Sequence, residues 1–498
     1  VSPPRFSYFD AGYAAFKTTN KTRSTIVLQG ANDGMVHAFS ADNGDELWAF
    51  VPSYGFDKRQ DGSDGLKNLT DKEFFNHKFY VDATPVIGDV DFTRAGNPTA
   101  PGAANWRTIA VGGLGKGGRG WYALDVTSTA ASTDSQAAAK VLWEFPSSSN
   151  ATHTAVAKNV GYSFGKPIIT KTKAAGWVVV IPSGYENGDE TGGDGRGFLF
   201  VLNPANGDLI AAVPTDAATD GATVAELLTY PLGLAHIAGY ADNADADNTV
   251  KAVYGGDLYG NVWRFDFRGA ATSDWKSVKL ATLASGVSGS PRQPVTAEPE
   301  LGIVSGKLVV YIGTGKYFGD KDIPDTSGRF ASAVQKQTIY ALWDDLTLTT
   351  PIINDVRLDL VQQTATRTVT LNPDGTVATG TVSITPAQIS SGVPFTSATI
   401  FGGGKRGWYV DLPDTGERVV TNPTLGLGVV TFTSNIPSGV DPCLPGGSSW
   451  IWSLDYRTGA PIASTSTTYP AANFLGLALA SRPVLVNTRR SSSPYSSA

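Results

Sequence analysis

The chain has 498 residues, of which 41% are hydrophobic and 17% are charged, so it can bury a large core and lacks the composition of a disordered protein. Its formal net charge of −6 argues against a nucleic-acid partner, because a phosphate-binding surface needs clustered lysine and arginine. The single cysteine, Cys443, excludes an internal disulfide and a cysteine-based metal site, and no apolar run approaches the ~20 residues of a membrane span, so we expect no direct membrane insertion.

Short strands joined by turns are the elements that the composition favours. The sequence has 56 glycines and 29 prolines beside 11 tryptophans, 18 tyrosines and 22 phenylalanines. The first copy of a repeated pattern covers residues 26–52. It consists of an aliphatic strand, a Gly/Asn/Asp turn, an aromatic strand, and a third strand that ends in Trp48 and Phe50. Asn43 and Gly44 between the last two strands predict a two-residue hairpin, because both positions tolerate positive φ.

The same order of elements returns along the chain. Further copies cover residues 108–146, 177–214, 250–267 and 307–344. The leading strands of the five copies begin near residues 26, 108, 178, 250 and 308, so they are 58 to 82 residues apart. These distances exceed the ~40 to 50 residues of a compact four-stranded blade, so we expect insertions. Looser copies follow at residues 407–420, 428–438 and 448–463, where Thr458 and Gly459 correspond to the earlier Asn-Gly pair.

This repetition predicts an all-β protein, a modified β-propeller of six to eight blades, with seven as the preferred number. Residues such as Trp121 and Ala123, or Phe198 and Phe200, give one small sheet apolar character on both faces, which radial stacking against two neighbours would bury. An extended array of β-sandwiches is the alternative. We expect one domain over residues 1–498, with residues 470–498 as a possible ring-closing strand and flexible tail.

Several motifs in the same order resemble the C-terminal domain of the PilY/PilC family of type IV pilus biogenesis proteins and tip adhesins. They are GANDGMVHAF, DATPVIGD, WRTIAVGGLGKGGRGWYALDVT, GYSFGKPIIT, VYGGDLYGNVWRFDF, IGTGKYF, GWYVDLPDTGERVV and IPSGVDPCLPGGSSWIWSLDYRTG. The resemblance implies a roughly seven-bladed propeller with quinoprotein-dehydrogenase-like blades, forming the C-terminal domain of a longer exported protein. It also implies a place at the bacterial cell surface, at the pilus tip or outer membrane or secreted. The implied partners are minor pilins, the protein's own N-terminal region, and a host or abiotic surface.

The resemblance also implies a calcium loop just before VYGGDLYGNVWRFD. Aligning backward from that motif places Asn243, Asp245, Asp247 and Thr249 at loop positions one, three, five and seven, and Asp242 is a possible additional ligand. Calcium takes six to eight oxygen ligands, and alternate residues of a tight loop can all turn inward. Position nine is Lys251, where the family usually has aspartate, and an ammonium cannot be a ligand. Lys251 would either swing out or occupy the place of the cation. The alternative is a solvated acidic hairpin.

Other candidate sites are weaker. The loop GYENGDETGGDGRG carries Asn187, Asp189, Glu190 and Asp194 as a second possible cation site, although loops of this composition are commonly turns. The four histidines show no metal-ligand spacing, and His37 lies within a strand pattern as a packed or edge residue. GGLGKGGRG precedes a strand, so it lacks the helix that a dinucleotide loop needs, and no GxSxG nucleophile motif is present.

The sequence therefore favours a non-enzymatic protein of the pilus tip that promotes pilus biogenesis and surface adhesion, with possible regulation by calcium. One alternative is a quinone-dependent dehydrogenase, because the unit at residues 34–50 resembles the blade motif of those enzymes; the lone cysteine excludes the vicinal pair that they tend to use. The other is a structural pilus-assembly cap without adhesin activity. Insertions at residues 61–78 and 350–399 are the expected carriers of surface specificity, because loops on a rigid scaffold diverge freely.

Overall fold

The computed structural model describes residues 1–56, 65–73, 75–287, 289–323, 335–348, 353–386, 404–438, 446–463 and 467–486. Two compact units are present: Val1–Pro299 with Asp344–Leu358, and Glu300–Trp343 with Asp359–Ala498. The expected single domain over residues 1–498 stays a prediction. Among the residues that the structure describes, no helix is long and apolar enough to cross a membrane. Cys443 and residues 487–498 of the expected tail lie outside the described residues.

The first unit contains four antiparallel sheets, each made of strands that follow one another in sequence. A short helix, α1 (Tyr13–Thr19), precedes them, α2 (Asp134–Ala138) lies within the second sheet's chain segment, and α3 (Val224–Thr229) follows the third sheet. The sheets comprise β1 (Ile26–Gly30), β2 (Val36–Ser40), β3 (Glu46–Phe50); β4 (Val86–Asp91), β5 (Trp106–Gly113), β6 (Trp121–Asp125), β7 (Val141–Phe145); β8 (Ile168–Thr172), β9 (Gly176–Pro182), β10 (Phe198–Leu202), β11 (Leu209–Pro214); and β12 (Ile237–Tyr240), β13 (Ala252–Gly256), β14 (Asn261–Asp266), β15 (Lys276–Thr282).

The second unit is built on one sheet of ten strands in the order β16-β17-β18-β21-β19-β20-β25-β24-β23-β22. The elements are β16 (Glu300–Val304), β17 (Lys307–Gly313), β18 (Thr338–Asp344), α4 (Val356–Asp359), β19 (Val361–Leu371), β20 (Val377–Thr385), β21 (Gly407–Asp411), β22 (Thr424–Gly426), β23 (Val429–Ser438), β24 (Gly446–Asp455) and β25 (Ala472–Gly476). The sheet is curled, so that its two edge strands, β16 and β22, lie close together. A Cβ atom added to Gly302 of β16 would lie only 2.5 Å from Leu425 Cδ2 of β22.

The described strands form six blade-like groups, within the predicted range of six to eight. Four are the sheets of the first unit, and two are four-stranded groups in the ten-stranded sheet, β16-β17-β18-β21 and β22-β23-β24-β25, joined through β19 and β20. Turns are present at both predicted positions, with φ of 80° at Gly44 and 71° at Gly459. The prediction of a two-residue hairpin at Asn43 and Gly44 is wrong, because the loop between β2 and β3 covers residues 41–45 and Asn43, whose side chain hydrogen-bonds Asp45, does not have positive φ. In copies two to five, the predicted leading strands correspond to β5, β9, β13 and β17. The prediction that these strands begin each copy is wrong, because β4, β8, β12 and β16 precede them in the sheets. Those four strands are short and mix polar residues or glycine with aliphatic ones, so their pattern is weak.

Both faces of the inner strands are buried, as the repeated pattern requires. All seven residues of β9 are buried. Its successive residues belong to different cores: Val179 packs in a cluster with Trp121 and Trp106, whereas Val180 packs in a cluster with Trp263. Because alternate side chains of a strand point to opposite faces, this sheet of the first unit contributes to two cores at once. Each sheet therefore depends on its neighbours for burial of its apolar surface.

The turn between β22 and β23 contains an unfavourable residue. Leu427 has φ of +52°, a left-handed conformation that disfavours a branched side chain, and it is 93% exposed. Leu427→Asn is expected to raise the free energy of unfolding by about 0.5–1 kcal/mol, because asparagine tolerates this conformation and no packing is lost. Urea denaturation would measure the change. Leu475→Asn, at an exposed strand position without positive φ, is the control and should not stabilise the chain.

Candidate functional site

The predicted calcium loop connects β12 to β13 in the first unit. It begins with a tight turn in which the carbonyl oxygen of Asn243 accepts hydrogen bonds from the backbone N–H groups of Ala246 (3.1 Å) and Asp247 (2.8 Å). The loop ends where Val250 N donates to Lys171 O (2.9 Å) and Lys251 N donates to Tyr240 O (2.8 Å). The backbone of the loop is therefore held by its own turn, by β8 and by the end of β12.

The Lys251 ammonium lies against the first carboxylate of the loop. Its Nζ atom forms an ion pair with Asp242 Oδ2, and the Tyr240 hydroxyl donates to Asp242 Oδ1 at 3.0 Å. The hydrogen bond from Lys251 lowers the pKa of Asp242. Lys251 thus points toward the acidic loop rather than away from it, which is one of the two arrangements that the sequence left open.

A second lysine contacts the loop from β8. Lys171 Nζ lies 3.0 Å from Asp247 Oδ1 and 2.8 Å from both carboxylate oxygens of Asp10, and its side chain is 16% exposed. Thr249 Oγ1 also donates to Asp247 Oδ1, at 2.6 Å. That hydrogen bond is the main cause of the lowered pKa of Asp247, and Lys171 adds to it. The sequence pattern did not indicate Lys171 or Asp10, which are remote from the loop along the chain.

The predicted ligands are near one another in sequence, but the arrangement does not match an all-oxygen calcium site. Asp242 and Asp247 face ammonium groups, and Asn243, Asp245, Asp242 and Asp247 are exposed to solvent. Thr249 uses its hydroxyl to contact Asp247. Within the described ranges, no group of three or more histidine, cysteine, aspartate and glutamate side chains is arranged to hold a metal ion. Calcium binding here stays a prediction, and the contacts favour an ammonium group in the place of the cation.

The second candidate loop is organised by hydrogen bonds within the loop and by contacts to Asn159 and Arg119. The Asn187 amide is buried and donates to the carbonyl oxygens of Asn159 (3.1 Å) and Arg196 (2.7 Å). Asp194 Oδ1 accepts from Arg196 N at 3.0 Å, and Glu190 forms an ion pair with Arg119 at 2.7 Å. Asp189 is exposed. These contacts account for a folded turn, and cation binding at this loop stays a prediction.

The motif after the calcium loop forms a buried polar network. Asp257 is fully buried, and its carboxylate accepts four hydrogen bonds from nitrogen: Tyr259 N, Asn261 N, Asn261 Nδ2 and Trp263 Nε1, all between 2.8 and 3.0 Å. Burial raises the pKa of Asp257 to about 6, although the four donors favour the charged form. The aspartate, asparagine and tryptophan of DLYGNVW therefore fix the turn between β13 and β14.

The next residue of that motif forms a buried ion pair. Arg264 Nη1 lies 2.7 Å from Asp344 Oδ1, and the Tyr254 hydroxyl donates to Asp344 Oδ2 at 2.6 Å. The two charged side chains are 3% and 1% exposed. The sequence identified this motif as characteristic of the family, but it did not indicate Asp344 as the partner of Arg264, because Asp344 is 80 residues away. No local pattern links the two positions.

His37 lies between two carboxylates. Its Nε2 atom is 2.8 Å from Asp33 Oδ2 in the β1–β2 turn, and its Nδ1 atom is 2.8 Å from Glu46 Oε1 on β3. The ring also stacks on Phe39, with the centroids 5.7 Å apart. Burial lowers the pKa of His37, but the hydrogen bonds and charges of Glu46 and Asp33 outweigh it, so the pKa is raised overall. The imidazolium form therefore joins the turn to β3.

This arrangement predicts a pH dependence. Because the folded-state pKa of His37 is raised, its stabilisation is present below the unfolded pKa of about 6.5 and is lost as the pH rises through the folded pKa. Between about pH 6 and about pH 9, the free energy of unfolding should therefore fall more in the wild-type chain than in His37→Gln. Urea denaturation across that range would measure it, and equal slopes for the two proteins would contradict it.

The comparisons with known proteins agree on one family. The family model described as the PilY1 beta-propeller domain matches residues 7–372. A type IV pilus biogenesis factor PilY1 homolog of Xylella fastidiosa is 30% identical over 467 residues, which are 90% of this chain and 27% of that protein. The PilY1 biogenesis factor of Pseudomonas aeruginosa is 31% identical over 484 residues, which are 91% of this chain and 36% of that protein. The chain thus spans about a third of the length of these relatives.

The fold comparison gives the same result. The crystal structure of the Pseudomonas aeruginosa PilY1 C-terminal domain matches 93% of this chain and 89% of its own, with a TM-score of 0.64 and 25% sequence identity. The predicted all-β propeller class and the family resemblance are both confirmed. This chain belongs to the PilY1 beta-propeller domain family.

Proposed function

We propose that this chain is the propeller domain of a type IV pilus biogenesis factor and that it acts by binding rather than by catalysis. The observation that carries the proposal is the match, over 93% of the chain, to the C-terminal domain of a PilY1 protein. Its partners in this proposal are minor pilins at the pilus tip and the N-terminal region of its own full-length protein. Its place is the cell surface, at the pilus tip or the outer membrane, or in secreted form.

Removal of the domain tests this proposal. In the bacterium that encodes the chain, in-frame deletion of residues 1–498 is expected to abolish surface pili counted by electron microscopy while the pilin pool in the cell persists. Complementation with the intact gene should restore the pili, and unchanged piliation after deletion would contradict the proposal. Incubation of the purified chain with pyrroloquinoline quinone, calcium, an alcohol and a redox dye tests catalysis, and dye reduction would overturn the binding-only part.

Adhesion is the finer part of the proposal, and the hairpin of β19 and β20 supports it. This hairpin lies in the insertion at residues 350–399 that is expected to carry specificity. Residues 61–64, 74, 350–352 and 387–399 of the two expected insertions lie outside the described residues. Its outer face presents eight exposed hydroxyl residues in four cross-strand pairs. We call them the threonine face: Thr364 with Thr385, Thr366 with Ser383, Thr368 with Thr381, and Thr370 with Thr379.

The threonine face suits a surface rich in hydroxyl groups. Its hydroxyls repeat at about 6.8 Å along each strand and about 4.8 Å between strands, and each can donate and accept a hydrogen bond. The eight residues are uncharged in a chain with a net charge of −6. The hairpin's opposite face contains the buried side chains of Gln363, Val382 and Ile384, which hold the base of the hairpin and the outer-face residues there. We infer that polysaccharide surfaces are the class that this domain contacts.

Isosteric substitution tests the threonine face. The variant with valine at residues 364, 366, 368 and 370 removes four hydroxyls and keeps the side-chain shape and strand preference. It should bind a cellulose film on a quartz microbalance at least ~10-fold more weakly than the wild type, because each lost hydrogen bond contributes about 0.5–1.5 kcal/mol. Serine at the same four residues should retain binding. Equal binding by the valine variant, or stronger binding of the wild type to an alkyl-coated sensor, would contradict this assignment.

A further inference from the structure

Two lysine side chains contact the two acidic ends of the loop between β12 and β13. Lys251 pairs with Asp242, and Lys171 pairs with Asp247 and with Asp10. We propose that these two ammonium groups are permanent counter-ions of the loop and replace the divalent cation that an all-oxygen version would bind. The loop of this chain therefore keeps its conformation without metal, whether or not the domain serves in pilus assembly.

The charges and the geometry both support replacement. Two ammonium groups bring the same +2 charge as one calcium ion, and they contact three carboxylates. Calcium requires six to eight oxygen ligands that converge on one point. Here Asp242 and Asp247 are instead directed to separate nitrogen donors, and an ammonium offers donors alone. A calcium ion bound by both carboxylates would lie close to both ammonium groups, and their positive charges would repel it.

The loop also holds the N-terminal segment of the chain, which gives the lysines a structural consequence. The backbone N–H groups of Ser7 and Phe9 donate to the carbonyl oxygens of Asp245 and Ala246, each at 2.9 Å. Between them, the Tyr8 ring is 6% exposed and lies 5.4 Å from the Trp177 ring, centroid to centroid. Lys171 joins the two parts, because it contacts Asp10 of the segment and Asp247 of the loop. Lys171 thus adds ion pairs to the backbone hydrogen bonds and the Tyr8 packing that hold residues 7–10 against the loop.

Calcium titration of the wild-type chain and of Lys251→Asp tests the replacement. The wild type is expected to give no binding heat and no change in melting temperature between EGTA and millimolar calcium. Lys251→Asp, which restores an oxygen ligand and removes one ammonium, should bind calcium with a Kd of ~10⁻⁴–10⁻³ M and melt at a higher temperature when calcium is present. Lys276→Asp, at an exposed lysine of β15 in the same unit, is the matched control and should not bind calcium.

Hydrogen exchange tests the link to the N-terminal segment. In Lys171→Ala, the amides of Ser7 and Phe9 should exchange about two- to fivefold faster than in the wild type, with calcium absent from both samples. Calcium binding by the wild type would overturn the proposal. It would also be overturned if neither Lys251→Asp nor the double variant Lys251→Asp/Lys171→Ala bound calcium, since the two ammonium groups would then not be what excludes the cation, or if exchange of Ser7 and Phe9 were unchanged in Lys171→Ala.

Discussion

Replacement of Asp344 by alanine is expected to lower the free energy of unfolding of the first unit by about 3–5 kcal/mol. The substitution leaves the Arg264 guanidinium, 3% exposed, without its carboxylate partner. It also removes the acceptor of the Tyr254 hydroxyl, whose side chain is fully buried. An uncompensated buried charge is far costlier than a lost surface ion pair, because water cannot replace the missing partner.

Urea denaturation, followed by tryptophan fluorescence, would measure this loss. The matched control is Arg268→Ala in the same unit, which breaks the pair between Arg268 and Asp266; Arg268 is 36% exposed, so the expected cost is below about 1 kcal/mol. Asp344→Asn keeps the shape and one acceptor oxygen, and its cost should lie between those of the other two variants. Equal stability of Asp344→Ala and Arg268→Ala would contradict the prediction.

Replacement of Glu417 by alanine is expected to destabilise the second unit by about 3 kcal/mol or more. Glu417 is fully buried, and its Oε1 atom accepts hydrogen bonds from Arg367 Nη2 (2.9 Å) and Ser434 Oγ (2.5 Å). Trp452 Nε1 in turn donates to Ser434 Oγ at 2.9 Å. Without Glu417, the Arg367 guanidinium, which stacks 3.7 Å above the Trp450 ring, would lose its buried partner.

The consequence should be local as well as global, because Arg367 belongs to β19. Hydrogen exchange of residues 361–385 is expected to accelerate more than that of β23 and β24 in Glu417→Ala. Asp414→Ala is the control, since Asp414 also pairs with Arg367 but is 41% exposed, and it should cost less than about 1 kcal/mol. Uniform acceleration across all these strands, or none, would show that the ion pair does not hold the hairpin.

The repeated strands were predictable from the sequence because their signals are local. The turn at Gly44 follows from the tolerance of glycine for positive φ, and the fully apolar strand β9 is evident without knowledge of its neighbours. The first strands β4, β8, β12 and β16 were not predicted, because a strand that is buried in a sheet can contain polar residues. In β4, for example, the buried Asp89 carboxylate accepts hydrogen bonds from the hydroxyl groups of Tyr13 (2.8 Å) and Thr108 (2.6 Å). Such a partner is visible only after folding.

At the candidate site, too, the local features could be predicted from the sequence and the long-range contacts could not. Alternating acidic residues and the departure at Lys251 could be read from the sequence, and the structure shows that Lys251 pairs with Asp242. The role of Lys171 could not be read, because it depends on the parallel bridge between Lys171 and Thr249, which joins two different sheets of the first unit. The insertion's position was predictable from the spacing of the repeats, but the parallel pairing of β19 with β21 was not.

The first unit is not continuous in sequence, and this affects the order in which it can be completed during synthesis. Residues 344–358 belong to it, although residues 300–343 of the second unit are translated before them. Arg264 can form its ion pair only after Asp344 has been synthesised. Likewise, the Ala284 carbonyl oxygen accepts a hydrogen bond from Arg357 Nε (2.7 Å), which is synthesised later still. On the ribosome, a nascent chain that ends near residue 299 therefore exposes an unpaired arginine, and protease resistance of its tryptophan-rich sheets should appear only after residue 358 has left the exit tunnel.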